Sequence, residues 1–306
     1  MTASAERGYF APLIPRPGEV FGPDARFEVH DQIGAGGAGE VLLVWDRLLG
    51  RKVAAKFMRE IDGRSAADDA AAEARATARL KHDNVVTVYD LGSYGGAPYL
   101  LMEYLEGESL NLMVGGPTMT ALRAVEILAD VARGLEHAHA QGVLHLDLKP
   151  SNVFVERSGR AKILDFGVGS LPRGGTSPTD YDPGPVVGTP LYMAPEQWGL
   201  ARVDARTDVW AAGMVLYELL TGSSPGPESA PSFRLRPHHR CSVPPIAERL
   251  GLRAEVDLVL SRCLANDPAG RFQAAWELRA ALERLKSFMP ASGQSGVHRS
   301  KAHVSS

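Results

Sequence analysis

Short apolar or alternating runs, separated by turn residues, occupy the first third of the chain at residues 27–33, 41–46, 52–58, 85–91 and 98–102. Such runs bounded by Gly, Asp and Pro predict strands, here an antiparallel sheet. Between the third and fourth runs the period changes: Ala66, Ala70, Glu73 and Thr77 recur at spacings of three and four, which predicts a helix over residues 65–81 with Glu73 on its inner face. A carboxylate on an inner face needs a partner. Lys56 is the candidate, because its strand neighbours Val53, Ala54, Ala55 and Phe57 leave it little polar company and a buried ammonium demands an anion.

After Glu106 and Gly107 the pattern turns helical. Val125, Leu128, Ala132, Leu135 and His139 form one apolar stripe that Gly142 is placed to end, while residues 209–220 are apolar nearly all round and predict a helix buried in the middle of a lobe. Residues 256–264, and Ala275, Leu278, Leu282 and Leu285, add two more helices. A small sheet lobe followed by a larger helical lobe is an α+β arrangement with a cleft between the lobes as the ligand site. The predicted divisions are a flexible segment at 1–26, a small lobe at 27–105, a large lobe at 106–288 and a disordered tail at 289–306, with no internal repeat.

Composition narrows the classes. With 306 residues, 44% hydrophobic and 23% charged, the chain is an ordinary globular one, and a net charge of −3 gives no electrostatic reason for a nucleic-acid or membrane-surface partner. Cys241 and Cys263 cannot build a disulfide framework, so a reducing cytosol is the expected compartment. Cys263 lies in an apolar helical run and reads as core; Cys241, after two histidines and Arg240, reads as a polar loop residue. Neither a secretory signal nor an apolar stretch of about 20 residues is found.

Chemistry concentrates at residues 145–152, His-Leu-Asp-Leu-Lys-Pro-Ser-Asn, followed by Asp165-Phe166-Gly167. Phosphoryl transfer needs a divalent metal, a positive side chain and a carboxylate that orients the attacking hydroxyl, and Asp147, Lys149, Asn152 and Asp165 supply such groups at fixed separations. Upstream, Ile33, Gly34, Ala35, Gly36, Gly37, Ala38, Gly39 and Val41 form a Gly-rich turn between two strands, where backbone amides could approach phosphate oxygens. It is not a dinucleotide fingerprint, because the chain continues after Val41 as strand.

Taken together these residues resemble the protein-kinase family, specifically the eukaryotic-like serine/threonine kinases of bacteria, over residues 27–288. The resemblance rests on the Gly-rich turn, Lys56, Glu73, the His145 to Asn152 run, Asp165-Phe166-Gly167, Ala194-Pro195-Glu196, Asp208, Gly213 and Arg271. It implies a two-lobed fold, a small antiparallel-sheet lobe with one main helix and a larger helical lobe. It implies transfer of the γ-phosphoryl group of ATP to Ser or Thr of proteins, with Asp147 as base and Lys149 neutralising the moving group. Asn152 and Asp165 would hold Mg2+, and Lys56, paired with Glu73, would meet the ATP phosphates. Met102 would limit the back pocket, and the backbone of Glu103 and Leu105 would bond the adenine edge. Ile33, Val41, Ala54, Phe154 and Leu164 would sandwich the ring, Ser109 would sit near the ribose, and Glu196 would pair with Arg271.

One position departs from the pattern. Where most relatives carry an Arg before the catalytic Asp, to grip a phosphate on the activation segment, this chain has Leu146. The expectation is that phosphorylation of Thr176, Ser177, Thr179 or Thr189 in the segment 168–193 is not the main on-switch. The same departure motivates the alternative of a catalytically silent scaffold, against which Lys56, Glu73, Asp147, Asn152 and Asp165 all stand intact. Because the Glu73 helix presents mainly small residues inward, it is expected to dock weakly. Bacterial relatives often add a membrane span and a sensor domain, so soluble regulation or a truncated chain is expected here.

Overall fold

A computed structural model describes residues 13–36, 39–59, 65–166, 190–198, 202–223 and 244–289. Six antiparallel strands, β1 (Val20–Phe21), β2 (Phe27–Gly36), β3 (Gly39–Asp46), β4 (Arg51–Met58), β5 (Val88–Tyr94) and β6 (Ala97–Glu103), form one sheet in the order β1-β2-β3-β4-β6-β5. The near-continuous apolar run of β4 reflects cover on both faces. Val53, Ala55 and Phe57 join an outer core with Phe27, Val29, Leu42, Val44, Tyr99 and Leu101, while Ala54 and Met58 face the helix α1 (Ala66–Thr77) together with Ala70, Leu100 and Met102. Alternation therefore turns Lys56 to the helix side.

Residues up to 26 carry no period and read as a tail or a wrapping segment. Within them Val20 and Phe21 pair with Glu28 and Phe27, and Phe21 is only 2% exposed with four aromatic rings around it. A two-residue strand is too short to show alternation. Phe21→Ala is expected to cost about 3 kcal/mol of global stability, read as a shift in the urea midpoint. A loss within about 0.5 kcal/mol would mean that this strand only lies against the lobe.

The expected strand at 85–91 is displaced to Val88–Tyr94 for a different reason. Val85 bridges Ile163, and Val86 N donates to Ile163 O at 2.9 Å, so the backbone of these two valines pairs with the large lobe although the Val86 side chain packs with Ala54 and Met102 of the small one. Asn84 strengthens the junction, its Nδ2 donating to Ala161 O at 2.8 Å and its carbonyl accepting from Ile163 N at 2.9 Å.

The large lobe begins with a second sheet, β7 (Gly107–Ser109), β8 (Val153–Glu156) and β9 (Ala161–Ile163), in the order β7-β8-β9. Its core is built by α2 (Leu110–Met113), α3 (Ala121–Ala140), α5 (Ala205–Thr221), α6 (Glu255–Cys263) and α7 (Ala275–Phe288), and the short α4 (Pro195–Trp198) buries the polar Glu196 and Gln197. Thr120 caps α3 through its hydroxyl, and Gly142 follows the helix at φ +72°, a left-handed geometry suited to glycine. The apolar run in α5 is buried along its length, and Gly213 lets α6 approach: a Cβ there would stand 2.5 Å from Cys263 Cβ. Cys263 is core, as its setting predicts, and burial pushes its thiol up to about 12. Among the described residues no helix is long and apolar enough to cross a membrane.

Candidate active site

Lys56 is the electrostatic centre of the cleft. Its strand and α1 face each other, so Nζ stands 3.0 Å from both carboxylate oxygens of Glu73 and 2.7 Å from Asp165 Oδ1. Burial alone would lower the pKa of this ammonium, but the charges of Asp165 and Glu73 outweigh it and hold the lysine above its ordinary value. One cation serves two carboxylates, and they do not share it equally. Burial, with the neighbouring Asp165 charge adding to it, pushes Glu73 up to about 7 against the pull of Lys56. Asp165 resists the same desolvation through its closer contact with Lys56 and stays below the usual carboxylate range. α1 is further tied to the cleft by Thr77, whose hydroxyl donates to Phe166 O at 3.4 Å.

The run 145–152 folds back on itself. Lys149 Nζ lies 2.7 Å from Asp147 Oδ2, and Asn152 Nδ2 donates to Asp147 O at 2.9 Å and to Oδ2 at 3.3 Å. His145 Nε2 meets the Leu164 carbonyl at 2.9 Å, which can only accept, so Nε2 carries the proton and Nδ1 accepts from Asp147 N at 3.2 Å. Its ring packs edge-on against Phe166 at 4.9 Å. The bond from Leu164 N to Asn152 O, 2.8 Å, joins the two segments and brings Asn152 beside Asp165.

Beneath this loop lies an acceptor whose role the sequence pattern does not disclose. Asp208, fully buried, takes the N–H of Leu146 on Oδ1 at 2.8 Å and the N–H of His145 on Oδ2 at 2.9 Å, while His139 Nε2 donates to Oδ2 at 2.8 Å. These contacts, the His139 bond first, hold Asp208 below the usual range despite its burial. His139 thus sits on the predicted inward stripe but serves as a donor there. Leu146 is held at φ +60°, a left-handed conformation costing about 1 kcal/mol or more for a non-glycine residue. Such a geometry persists only where its neighbours fix it.

The nucleotide side is gathered in part. Val41, Ala54, Met102, Leu105 and Leu164 share one apolar cluster between the lobes, whereas Ile33 is 45% exposed and lies outside it. Phe154 and Ser109 are cross-strand neighbours on β8 and β7, and the Ser109 hydroxyl is engaged with Asn111. The Glu103 side chain is occupied by Thr87 N at 2.7 Å and Lys162 Nζ at 2.8 Å. Gly34, Ala35, Gly36 and Gly39 form the end of the β2–β3 hairpin, where Gly36 pairs with Gly39. Gly39 has φ +144°, and a Cβ there would fall 1.9 Å from Phe57 O, so only glycine fits. Gly37, Ala38, Gly167, Thr176, Ser177, Thr179, Thr189 and Cys241 lie outside the described residues.

The predicted pair in the large lobe is bidentate: Arg271 Nη1 and Nη2 lie 2.7 and 2.8 Å from Oε1 and Oε2 of Glu196. Next to it, Gln197 donates from Nε2 to Leu146 O and accepts from Ala194 N on Oε1, both at 2.9 Å. No sequence pattern singles out this glutamine.

Several known proteins are similar to this chain over most of its length. Serine/threonine-protein kinase PknB of Mycobacterium tuberculosis is 38% identical over 275 residues, covering 87% of this chain and 44% of the relative. Serine/threonine-protein kinase pkn2 of Myxococcus xanthus is 35% identical over 283 residues, covering 88% of this chain and 34% of the relative. The probable serine/threonine-protein kinase SCO3848 of Streptomyces coelicolor is 34% identical over 274 residues, with 87% and 40% covered. The chain thus spans less than half the length of these relatives. The protein kinase domain family model matches residues 27–280, and the chain belongs to the protein kinase family.

Proposed function

We propose that this chain transfers the γ-phosphoryl group of ATP to Ser or Thr hydroxyls of proteins, with Asp147 as the base. The observation that carries the reading is the joint placement of Lys56 on Glu73 and Asp165 with the closed Asp147, Lys149 and Asn152 loop beside it. Asp147 is oriented from three sides: Lys149 on a carboxylate oxygen, Asn152 on its carbonyl, and His145 on its N–H. A carboxylate so held accepts or orients a substrate hydroxyl proton while Lys149 stays within reach of developing negative charge. The Lys149-Pro150 context supports Ser or Thr as the target.

Asp165 and Asn152 offer a carboxylate and an amide oxygen, the donor chemistry of a hard cation held jointly with substrate phosphates, so the residues present fit magnesium. When bound, that ion neutralises charge on the phosphate oxygens. Lys56 would then share its charge between Glu73 and the nucleotide, and the cluster of Val41, Ala54, Met102, Leu105 and Leu164 would exclude water from the adenine.

Incubation of the purified chain with labelled ATP, magnesium and a generic Ser/Thr substrate tests the reading. The parent should transfer label, and Asp147→Ala should slow transfer about a hundredfold with unchanged nucleotide affinity. Label on neither the chain nor the substrate, with nucleotide still bound, would favour a scaffold.

A further inference from the structure

Asp147 follows a peptide unit pinned at both ends. The Leu146–Asp147 peptide presents its carbonyl to Gln197 Nε2 at 2.9 Å and its N–H to His145 Nδ1 at 3.2 Å. From these contacts we infer that Gln197 is a positioning residue for phosphoryl transfer, setting the Asp147 carboxylate through the Leu146 carbonyl. The inference deepens the kinase reading and rests on it for its kinetic consequence.

Three observations lead there. First, Leu146 stands at φ +60°, so its backbone relaxes if unsupported; Asp208 restrains its N–H and Gln197 its carbonyl. Second, Gln197 is 7% exposed and uses both ends of its amide, Oε1 taking Ala194 N at 2.9 Å. A buried amide bonded at both ends has one orientation, because turning it over would set oxygen against the Leu146 carbonyl and NH2 against the Ala194 N–H. Third, its own backbone is anchored: Gln197 N donates to Ala194 O at 2.9 Å, and the preceding residue, Glu196, is clamped by Arg271. A line of fixed contacts therefore runs from Arg271 in the large-lobe core through Glu196 and Gln197 to Leu146.

This line gives Leu146 its regulatory meaning. The Leu146 side chain is 5% exposed and apolar, and the loop is gripped by its main chain. No charge at position 146 and no phosphate is needed to set Asp147. The device differs in kind from a phosphate latch, because the amide is present whenever the lobe is folded.

Gln197→Met and Gln197→Glu test the inference. The first removes both bonds at similar volume; the second keeps an acceptor for Ala194 N–H but faces the Leu146 carbonyl with oxygen. Both should lower kcat about tenfold while KM for ATP stays within about twofold, and amide exchange at residues 146–148 should quicken. A purely structural glutamine would lower the melting temperature and leave kcat of the folded protein unchanged. Should Gln197→Met fail to fold, Gln197→Glu supplies the same readings. Exchange is read whether or not the parent transfers phosphate. Quickened exchange with an inactive parent would uphold the positioning and sink the kinase reading. Unchanged exchange at 146–148 in a folded variant, with or without parental kcat, overturns the inference.

Discussion

Lys56→Met should slow phosphoryl transfer about a thousandfold and should destabilise the fold more at pH 8 than at pH 5. The lysine stands between two carboxylates, 3.0 Å from Glu73 and 2.7 Å from Asp165, and without it both charges lose their counter-ion. In the parent, burial already pushes Glu73 up to about 7 from an ordinary 4.5, against the pull of Lys56. A carboxyl raised in the folded state weakens the fold as pH climbs from its unfolded value through its folded one. Removing Lys56 takes away the lowering influence on Glu73 and moves the end of that window above 7. Asp165 acts with the opposite sign, since its depressed value contributes stability that is present above its ordinary range and lost in acid. That contribution also disappears with the lysine. Near pH 5 Glu73 holds its proton in both proteins and its share of the difference is small; at pH 8 the variant must either ionise Glu73 beside Asp165 with no cation or keep a proton that the unfolded chain would release. The expected loss at pH 8 is about 3 kcal/mol, shrinking toward pH 5, measured by urea unfolding. Equal losses at the two pH values would mean that water enters and replaces the lysine.

Lys56 was legible in the sequence because it is a charged residue in an apolar run, and Glu73 because it repeats with Ala70 and Thr77 at helical spacing. Both signals are local. The Asp147 to Asn152 loop was legible for the same reason, since its members lie within six positions of one another and their bonds close inside that span. What the sequence hid depends on contacts between distant segments. Asp208 lies 62 positions from Leu146, and Gln197 lies 51 from it, so neither bond leaves a period. His139 fitted an apolar stripe because the inward face of α3 also leads to Asp208, and a histidine there counts equally as packing or donor. Val85 and Val86 read as strand because they are β-branched, yet their backbones pair with Ile163 across the lobes. Phe21 was hidden by brevity. The fold class was thus carried by patterns of short range, while the contacts that hold the backbone before Asp147 were set by tertiary structure.

One of those contacts, from Gln197, adjoins the Glu196–Arg271 pair, and Arg271→Ala should cost about 4 kcal/mol of stability. Arg271 is 1% exposed and uses all three of its nitrogens: two on Glu196, with further bonds to Ala265 O at 2.8 Å, Arg206 O at 3.0 Å and Asn266 O at 3.2 Å. Its guanidinium also lies 4.9 Å from the Trp210 ring centroid. Truncation strands three carbonyls and leaves Glu196 buried with the Thr207 hydroxyl, 2.8 Å away, as its remaining described partner. An uncompensated buried carboxylate is the larger part of that loss. Removing Glu196 as well should therefore recover about 2 kcal/mol relative to the sum of the single variants, read in a double-variant cycle of urea midpoints. A strictly additive cycle would mean that packing on Trp210, and not the ion pair, sets the cost. Lysine should not substitute well, because a single ammonium cannot span both oxygens of Glu196 and the surrounding carbonyls as a planar fork does. Since Gln197 adjoins Glu196 and holds the Leu146 carbonyl, Arg271→Lys should also slow transfer in protein that remains folded. In the positioning proposed for Gln197, the pair is the anchor from which Asp147 is aimed.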